Sequence, residues 1–213
     1  VSNELEHLNG VIAELGLPER PGLAELLLNY LDLLQRWNAT YNLTSVRERQ
    51  AMLIQHLADC LAVVPALAKY CSEGRVLDVG SGGGLPGVVL AAALPKLSVT
   101  CVDTVGKKAA FVRQVAGSLG LGNLHAAHAR VETLKLPSFD LITSRAFATL
   151  ATFVALTESR LGAAGVWLAM KGQNPEAEIA ELPAHIEVFH VEQLVVPGLD
   201  AQRCLVWMRR RPA

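Results

Sequence analysis

No two of the four cysteines, Cys60, Cys71, Cys101 and Cys204, are spaced C-x-x-C, and all four sit among apolar neighbours. That argues against a zinc site and a disulfide frame, and they read as reduced core residues of a cytoplasmic protein. No run of about 18 uncharged apolar residues occurs, which argues against a membrane span. The acidic stretch Val1 to Gly10 has no basic-then-apolar leader pattern, and without an initiator Met a few residues are expected to be missing there. Internal repeats and low-complexity tracts are absent. Net charge is nearly absent as well, at -1 over 213 residues.

What is present is enough apolar material for a real core. Hydrophobic residues make up 51% and charged residues 18%, which excludes disorder as the main state. The charge is unevenly placed. Residues 75–160 hold 9 basic and 5 acidic side chains, whereas residues 1–74 hold 5 and 9. A local basic face can meet a polyanion while the whole chain stays near neutral, although ordinary surface charge accounts for the pattern equally well.

The first part reads as helices. Leu5, Leu8, Val11, Ile12 and Leu15 recur at helical spacing up to Gly16, and Leu23, Leu27, Tyr30, Leu31, Leu34 and Trp37 line a second helix opened by Pro21. Asn38 to Ser45 reads as a turn, and a third helix is expected over Arg47 to about Lys69, broken before Pro65. From Arg75 the pattern alternates. Strands are expected at 75–79, 97–102, 124–129, 139–144 and 165–170, with helices between, which calls for a parallel sheet covered on both faces. His185 to Val195 and Arg203 to Arg209 have no helix between them and read as an antiparallel hairpin added to that sheet. The division expected is a helical cap, 1–74, and an α/β domain, 75–213.

The central motif is Asp78-Val79-Gly80-Ser81-Gly82-Gly83-Gly84-Leu85-Pro86-Gly87, a glycine-rich turn between strand and helix that admits close backbone approach to a ligand. Asp103 ends the next strand, where an acid can accept from both ribose hydroxyls of an adenosine. Two cofactor classes share this arrangement, a nicotinamide dinucleotide and S-adenosylmethionine. Gly82, Gly84 and Gly87 satisfy G-x-G-x-x-G, so the dinucleotide stays open. Against it stand Asp78 two residues before the first glycine, a chain too short for a separate substrate domain, and the absence of any Tyr-x-x-x-Lys pair.

Further strings carry a likeness. Trp37-Asn38, Tyr41 to Arg47, His56-Leu57-Ala58-Asp59, Leu77 to Gly87, Gly106-Lys107-Lys108, Phe111 to Val115, Arg130-Val131-Glu132, Ser144 to Ala148 and Lys171-Gly172-Gln173 together resemble the bacterial small-subunit ribosomal RNA guanine-N7 methyltransferase G family, also called glucose-inhibited division protein B. The resemblance implies a Rossmann-like class I S-adenosylmethionine-dependent methyltransferase with a mostly parallel seven-stranded sheet. It implies methyl transfer to N7 of one guanine in the decoding-region loop of small-subunit (16S) ribosomal RNA. Cofactor contacts implied are Gly80, Leu85, Asp103, Thr104, Val105, Val131, Glu132 and Arg145, and the motif adds Asp78, Gly82 and Gly84.

The chemistry agrees with that target. An exocyclic amine usually calls for an Asn/Asp-Pro-Pro-aromatic loop after the fourth strand, where this chain has Thr143-Ser144-Arg145-Ala146-Phe147; its Asn174-Pro175 comes later and precedes Glu176. No Pro-Cys pair offers a nucleophile for pyrimidine carbon five. Guanine N7 has a free lone pair and no proton, so no catalytic base is expected and positioning suffices. Candidate RNA contacts are Lys107, Lys108, Arg113, Arg145, Phe147 and Lys171. For Arg145 the alternative is an ion pair with Asp78 or Glu132, for Phe147 a core position, and for the helix cations a solvated face. His56 and Asp59 read as a helix-surface pair, the alternative being that they close the cap over the cofactor, and Arg209-Arg210-Arg211 reads as a frayed terminal charge run. His125 and His128 have no third ligand, and no metal is expected. The remaining alternatives are a methyltransferase of another substrate and an RNA-binding assembly factor without turnover. A monomer is favoured.

Overall fold

The computed structural model describes residues 2–18, 20–173 and 175–212. One seven-stranded sheet runs through it in the order β3-β2-β1-β4-β5-β7-β6. The strands are β1 (Gly74–Val79), β2 (Leu97–Asp103), β3 (Leu124–His128), β4 (Phe139–Arg145), β5 (Leu161–Lys171), β6 (Ile186–Leu194) and β7 (Arg203–Arg210). The first five are parallel, and β7 inserts antiparallel between β5 and β6. The hairpin therefore forms as expected, with its second strand innermost. Val76 to Val79 of β1 are buried throughout, as a parallel strand covered on both faces requires. A dinucleotide fold would carry an all-parallel 3-2-1-4-5-6 order, so the antiparallel β7 counts against that alternative.

The helices are α1 (Ser2–Glu14), α2 (Leu23–Tyr41), α3 (Arg49–Tyr70), α4 (Gly87–Ala93), α5 (Gly106–Ser118), α6 (Leu150–Thr157) and α7 (Glu176–Ala180). Two boundaries differ from the sequence pattern. The second helix runs on through Asn38, because that side chain bonds the following loop instead of ending the helix; Asn42, at φ 50°, makes the stop. β5 starts four residues early at Leu161, pairing with Phe139 across an irregularity in the register.

Helix α3 is long and apolar enough to cross a membrane by length and composition alone. However, 72% of its apolar window is buried inside the fold, so core packing accounts for that character. Its Leu53–Ala58 segment is a π-helix, which sequence periodicity did not reveal; such turns often sit at functional sites. Leu23, Leu27, Tyr30, Leu31 and Leu34 of α2 join Met52, Leu53, Leu57 and Leu61 of α3 in one continuous core with the sheet face that carries Val76, Val99 and Leu141. The opposite face packs Leu77, Val79, Ile142 and Trp167 against Phe153 and Val154 of α6. At 25 cal/mol per Å², each such side chain contributes roughly 1.5–3 kcal/mol.

Candidate active site

The loop after β1 divides two cavities near the carboxyl ends of the central strands, where ligands sit in open α/β sheets. The smaller, about 240 Å³, is walled by Val79, Val102, Val131 and Leu156, with Asp103, Thr104 and Glu132 on its rim and Gly80 at its base. Gly80 holds φ +68°, and a Cβ there would stand 3.2 Å from Phe147 Cε2, so the turn needs glycine twice over. Phe147 packs edge-on to Phe153 at 6.3 Å between centroids and lines this same cavity. Of the two readings left open for Phe147, this packing on Phe153 matches the core position.

Asp103 is 7% exposed. Its Oδ2 accepts the Gly82 N–H at 3.1 Å and its Oδ1 the Val105 N–H at 2.9 Å, with Lys108 Nζ 3.7 Å away. Each oxygen retains a second lone pair, and Asp103 lines the cavity, which suits a pair of ribose hydroxyls. Val105 itself is exposed and reaches the site only through that N–H. Glu132 is exposed and paired with Arg130 at 3.1 Å, and its carboxyl is held below the usual range by its own backbone N–H and by Arg130.

Asp78 and Gly84 line neither cavity. Asp78 lies fully buried under the loop, where Oδ2 accepts the Gly87 N–H at 2.8 Å. A Cβ on Gly87 would stand 2.9 Å from that oxygen, so only glycine permits the bond. The other oxygen, Oδ1, has no hydrogen-bond partner. Burial pushes the carboxyl up to about 7, against the opposing pull of the Gly87 N–H and Arg145.

The larger cavity, about 550 Å³, lies between cap and sheet and is lined by Gly82 and Leu85 of the loop, by Thr44 and Ser45, and by His56, Asp59, Arg145, Lys171 and Arg203. Arg145 pairs with neither Asp78 nor Glu132. Its Nη1 donates to Asp59 Oδ2 at 3.1 Å and to the Gln55 carbonyl at 2.9 Å, and its Nη2 to His56 Nδ1 at 3.4 Å. Asp59 Oδ1 accepts from Arg203 Nε at 2.8 Å, so one carboxylate holds two guanidinium groups. Since Arg145 can only donate to Nδ1, the His56 proton sits on Nε2 and is given to Thr44 Oγ1 at 2.8 Å. Burial, and then the Arg145 charge, push His56 down to about 4. His56 and Asp59 are thus buried wall residues, not the surface pair their spacing suggested, and Thr44 and Arg203 join a site that sequence reading had not given them.

The candidate RNA cations fare differently. Lys171 Nζ is tied to Glu178 Oε2 at 2.7 Å and to the Ala148 carbonyl at 3.0 Å, and Glu178 also accepts the Leu150 N–H. It fastens the loop after β4 and is not a free cation. Lys108 is drawn to Asp103, whereas Lys107 and Arg113 are exposed. Arg113 lies six residues on from Lys107, which turns it about 120° away around α5. The terminal arginines are not frayed: Arg210 in β7 donates to the Glu158 and Gly162 carbonyls. All four cysteines are free. Among the described residues no group of His, Cys, Asp or Glu is arranged to hold a metal ion, and Asn174 of the Asn-Pro pair lies outside them.

A glycine-floored nucleoside-sized cavity with an acid at the second strand end, in this sheet order, defines a class I methyltransferase fold. Solved structures agree: the ribosomal protein L11 methylase of Lactobacillus delbrueckii subsp. bulgaricus superposes with TM-score 0.54 over 78% of this chain and 80% of its own, at 18% identity. TrmN from Thermus thermophilus gives TM-score 0.56 over 75% of this chain and 53% of its own, at 19% identity. Sequence comparison is more specific. Residues 23–206 match the family GidB, rRNA small subunit methyltransferase G, and the chain belongs to that family. The protein named ribosomal RNA small subunit methyltransferase G in Acidovorax sp. (strain JS42) is 56% identical, covering 92% of this chain and 90% of that protein. Its counterpart in Methylibium petroleiphilum (strain ATCC BAA-1232 / LMG 22953 / PM1) is 60% identical over 87% and 85%.

Proposed function

We propose that this chain transfers a methyl group from S-adenosylmethionine to N7 of a guanine in small-subunit ribosomal RNA. Its family and its relatives support the reaction and the RNA. One observation supports N7 in particular: the titratable side chains walling the larger cavity are already engaged. Asp59 is held by two arginines, Lys171 by Glu178, and His56 has its only acceptor nitrogen turned to Arg145. Among the described residues lining that cavity no free base stands ready to take a proton from an exocyclic amine, and N7 has no proton to lose.

Two features fit the cofactor. The smaller cavity suits its adenosine, with Asp103 for the ribose, Val131 and Glu132 beside the base, and Thr104 and Gly80 along the edge. The unpartnered Asp78 Oδ1 leaves a fully buried acceptor beneath the glycine loop. When bound, the cofactor supplies a methyl carbon on a sulfonium, a good leaving group. The chain's part is to hold the base in the larger cavity across the loop, with water displaced. Alignment of that kind is worth about 7–11 kcal/mol of barrier. Residues 1–74 act as the cap that closes the larger cavity, and the working form is a monomer in the cytoplasm, where small subunits mature.

The test is methyl transfer from labelled S-adenosylmethionine to unmodified small subunits and to their stripped RNA, with identification of the labelled nucleoside. Label in 7-methylguanosine is expected; label elsewhere, or binding without turnover, rejects the reading. Asp103→Ala is expected to weaken cofactor binding by roughly tenfold or more, since ribose hydroxyls lose a charged acceptor. Calorimetry reads this directly, and unchanged affinity would remove Asp103 from the ribose.

A further inference from the structure

Next to the wall of the larger cavity stands an aromatic surface that neither cavity uses. Tyr41, the last residue of α2, is 41% exposed. Its ring leans on Trp37 at 5.2 Å between centroids, and Trp37 rests on buried Phe111 of α5 at 5.4 Å. The ring is propped from behind. Over it lies Lys107 Nζ, 4.9 Å from the centroid. Arg47 stands nearby, donating to the Asn38 carbonyl at 3.1 Å and to Asn42 Oδ1 at 2.6 Å. Both acceptors are neutral, and among the described residues neither Lys107 nor Arg47 is paired with a carboxylate. Leu43 to Val46, between Tyr41 and Arg47, are themselves wall of the larger cavity, and Lys107 follows closely on Asp103 and Thr104 of the smaller one.

We propose that this surface grips the substrate RNA, with an unpaired nucleotide beside the target guanine stacked on Tyr41 and its phosphates on Lys107 and Arg47. The proposal rests on the RNA-methyltransferase reading above. A guanine presented inside a cavity has left its own stack, because the deep major groove of an RNA helix does not admit a protein site to N7. Its neighbour then lacks a stacking partner, and a fixed, exposed ring supplies one for any base. The lysine does not block this. A surface ammonium over a ring is worth less than a base stack, so the base displaces Lys107 and leaves its charge beside the phosphate. The cap and α5 would thus each contribute one side of the grip, Tyr41 and Arg47 from the first and Lys107 from the second. An acidic protein segment would use the cations but has no need of a flat, propped ring.

Three variants test it: Tyr41→Ala, Tyr41→Leu, which keeps apolar cover over Trp37 without a flat face, and Tyr41→Phe. With unmodified small subunits, Ala and Leu are expected to raise KM roughly tenfold with kcat nearly unchanged, and Phe to behave as wild type. Affinity for stripped RNA should fall in parallel, and affinity for S-adenosylmethionine should not move. Lys107→Gln should reduce the slope of log affinity against log salt by about one. Wild-type KM in Tyr41→Leu overturns the stacking proposal while wild-type turnover still stands. A KM effect on subunits with no loss of affinity for stripped RNA points to a protein contact and overturns it as well. No label transferred by the wild-type enzyme defeats the underlying reading instead.

Discussion

Asp59→Ala is expected to lower folding stability by about 3 kcal/mol and to cut kcat/KM for small subunits at least tenfold, while affinity for S-adenosylmethionine holds. The carboxylate is 4% exposed and is shared by Arg145 and Arg203, whose side chains are 22% and 26% exposed. Removing it leaves two guanidinium groups facing each other in a half-buried place without a counter-charge. Breaking a buried pair costs about 3–5 kcal/mol, and the partial exposure of both arginines sets the expectation at the low end. The kinetic effect follows because Asp59 fixes the wall of the larger cavity, not the smaller one. Urea unfolding checks the first number and steady-state kinetics the second. Asp59→Asn keeps an acceptor and should fall between. Wild-type stability in Asp59→Ala would mean that the arginines reach water freely and that the hub has no structural weight.

That hub also marks where sequence reading ends. The alternation of strands and helices, the glycine loop and Asp103 could be read because each is a local signal: burial on both faces makes apolar runs, and a turn at φ +68° needs Gly80. The tail hairpin was equally readable from two apolar strands with no helix between. Partnerships across the chain leave no such trace. Asp59 meets Arg145 across 86 positions and Arg203 across 144, and nothing in either stretch announces the other. The π-helix of α3 hid it further, since an apolar helix with His56 and Asp59 three apart looks like one with a polar edge. Lys171 is read from its place at the end of β5 and Phe147 from the loop after β4, and neither place says what the side chain touches. Only Glu178, on the short helix after β5, and Gly80, beneath the ring, decide that they fasten and wall the site.

Asp78→Asn is expected to stabilise the free protein near pH 8 while weakening its hold on S-adenosylmethionine, and to change how stability depends on pH. Burial raises the Asp78 carboxyl from 3.8 to about 7. The folded state therefore binds this proton more tightly than the unfolded chain does, so stability falls as pH rises from about 4 to 7, by roughly 4 kcal/mol at most. His56 works the other way in nearly the same window. Its ring is lowered from 6.5 to about 4, so the unfolded chain takes the proton first, and stability rises with pH from about 4 to 6.5, by roughly 3 kcal/mol at most. In the wild-type protein the two slopes oppose each other and the profile between pH 4 and 6.5 should be nearly flat. Asparagine keeps the carbonyl that accepts from Gly87 and removes the ionisation. Left alone, the His56 slope should then appear as a clear gain in stability from pH 4 to 6.5, with a plateau above it. Melting temperatures across pH read the profile, and calorimetry reads the cofactor. A flat profile in Asp78→Asn would mean that one of the two groups is wetter than its burial indicates. A gain in stability without loss of cofactor affinity would show that the buried charge serves neither the fold nor the ligand.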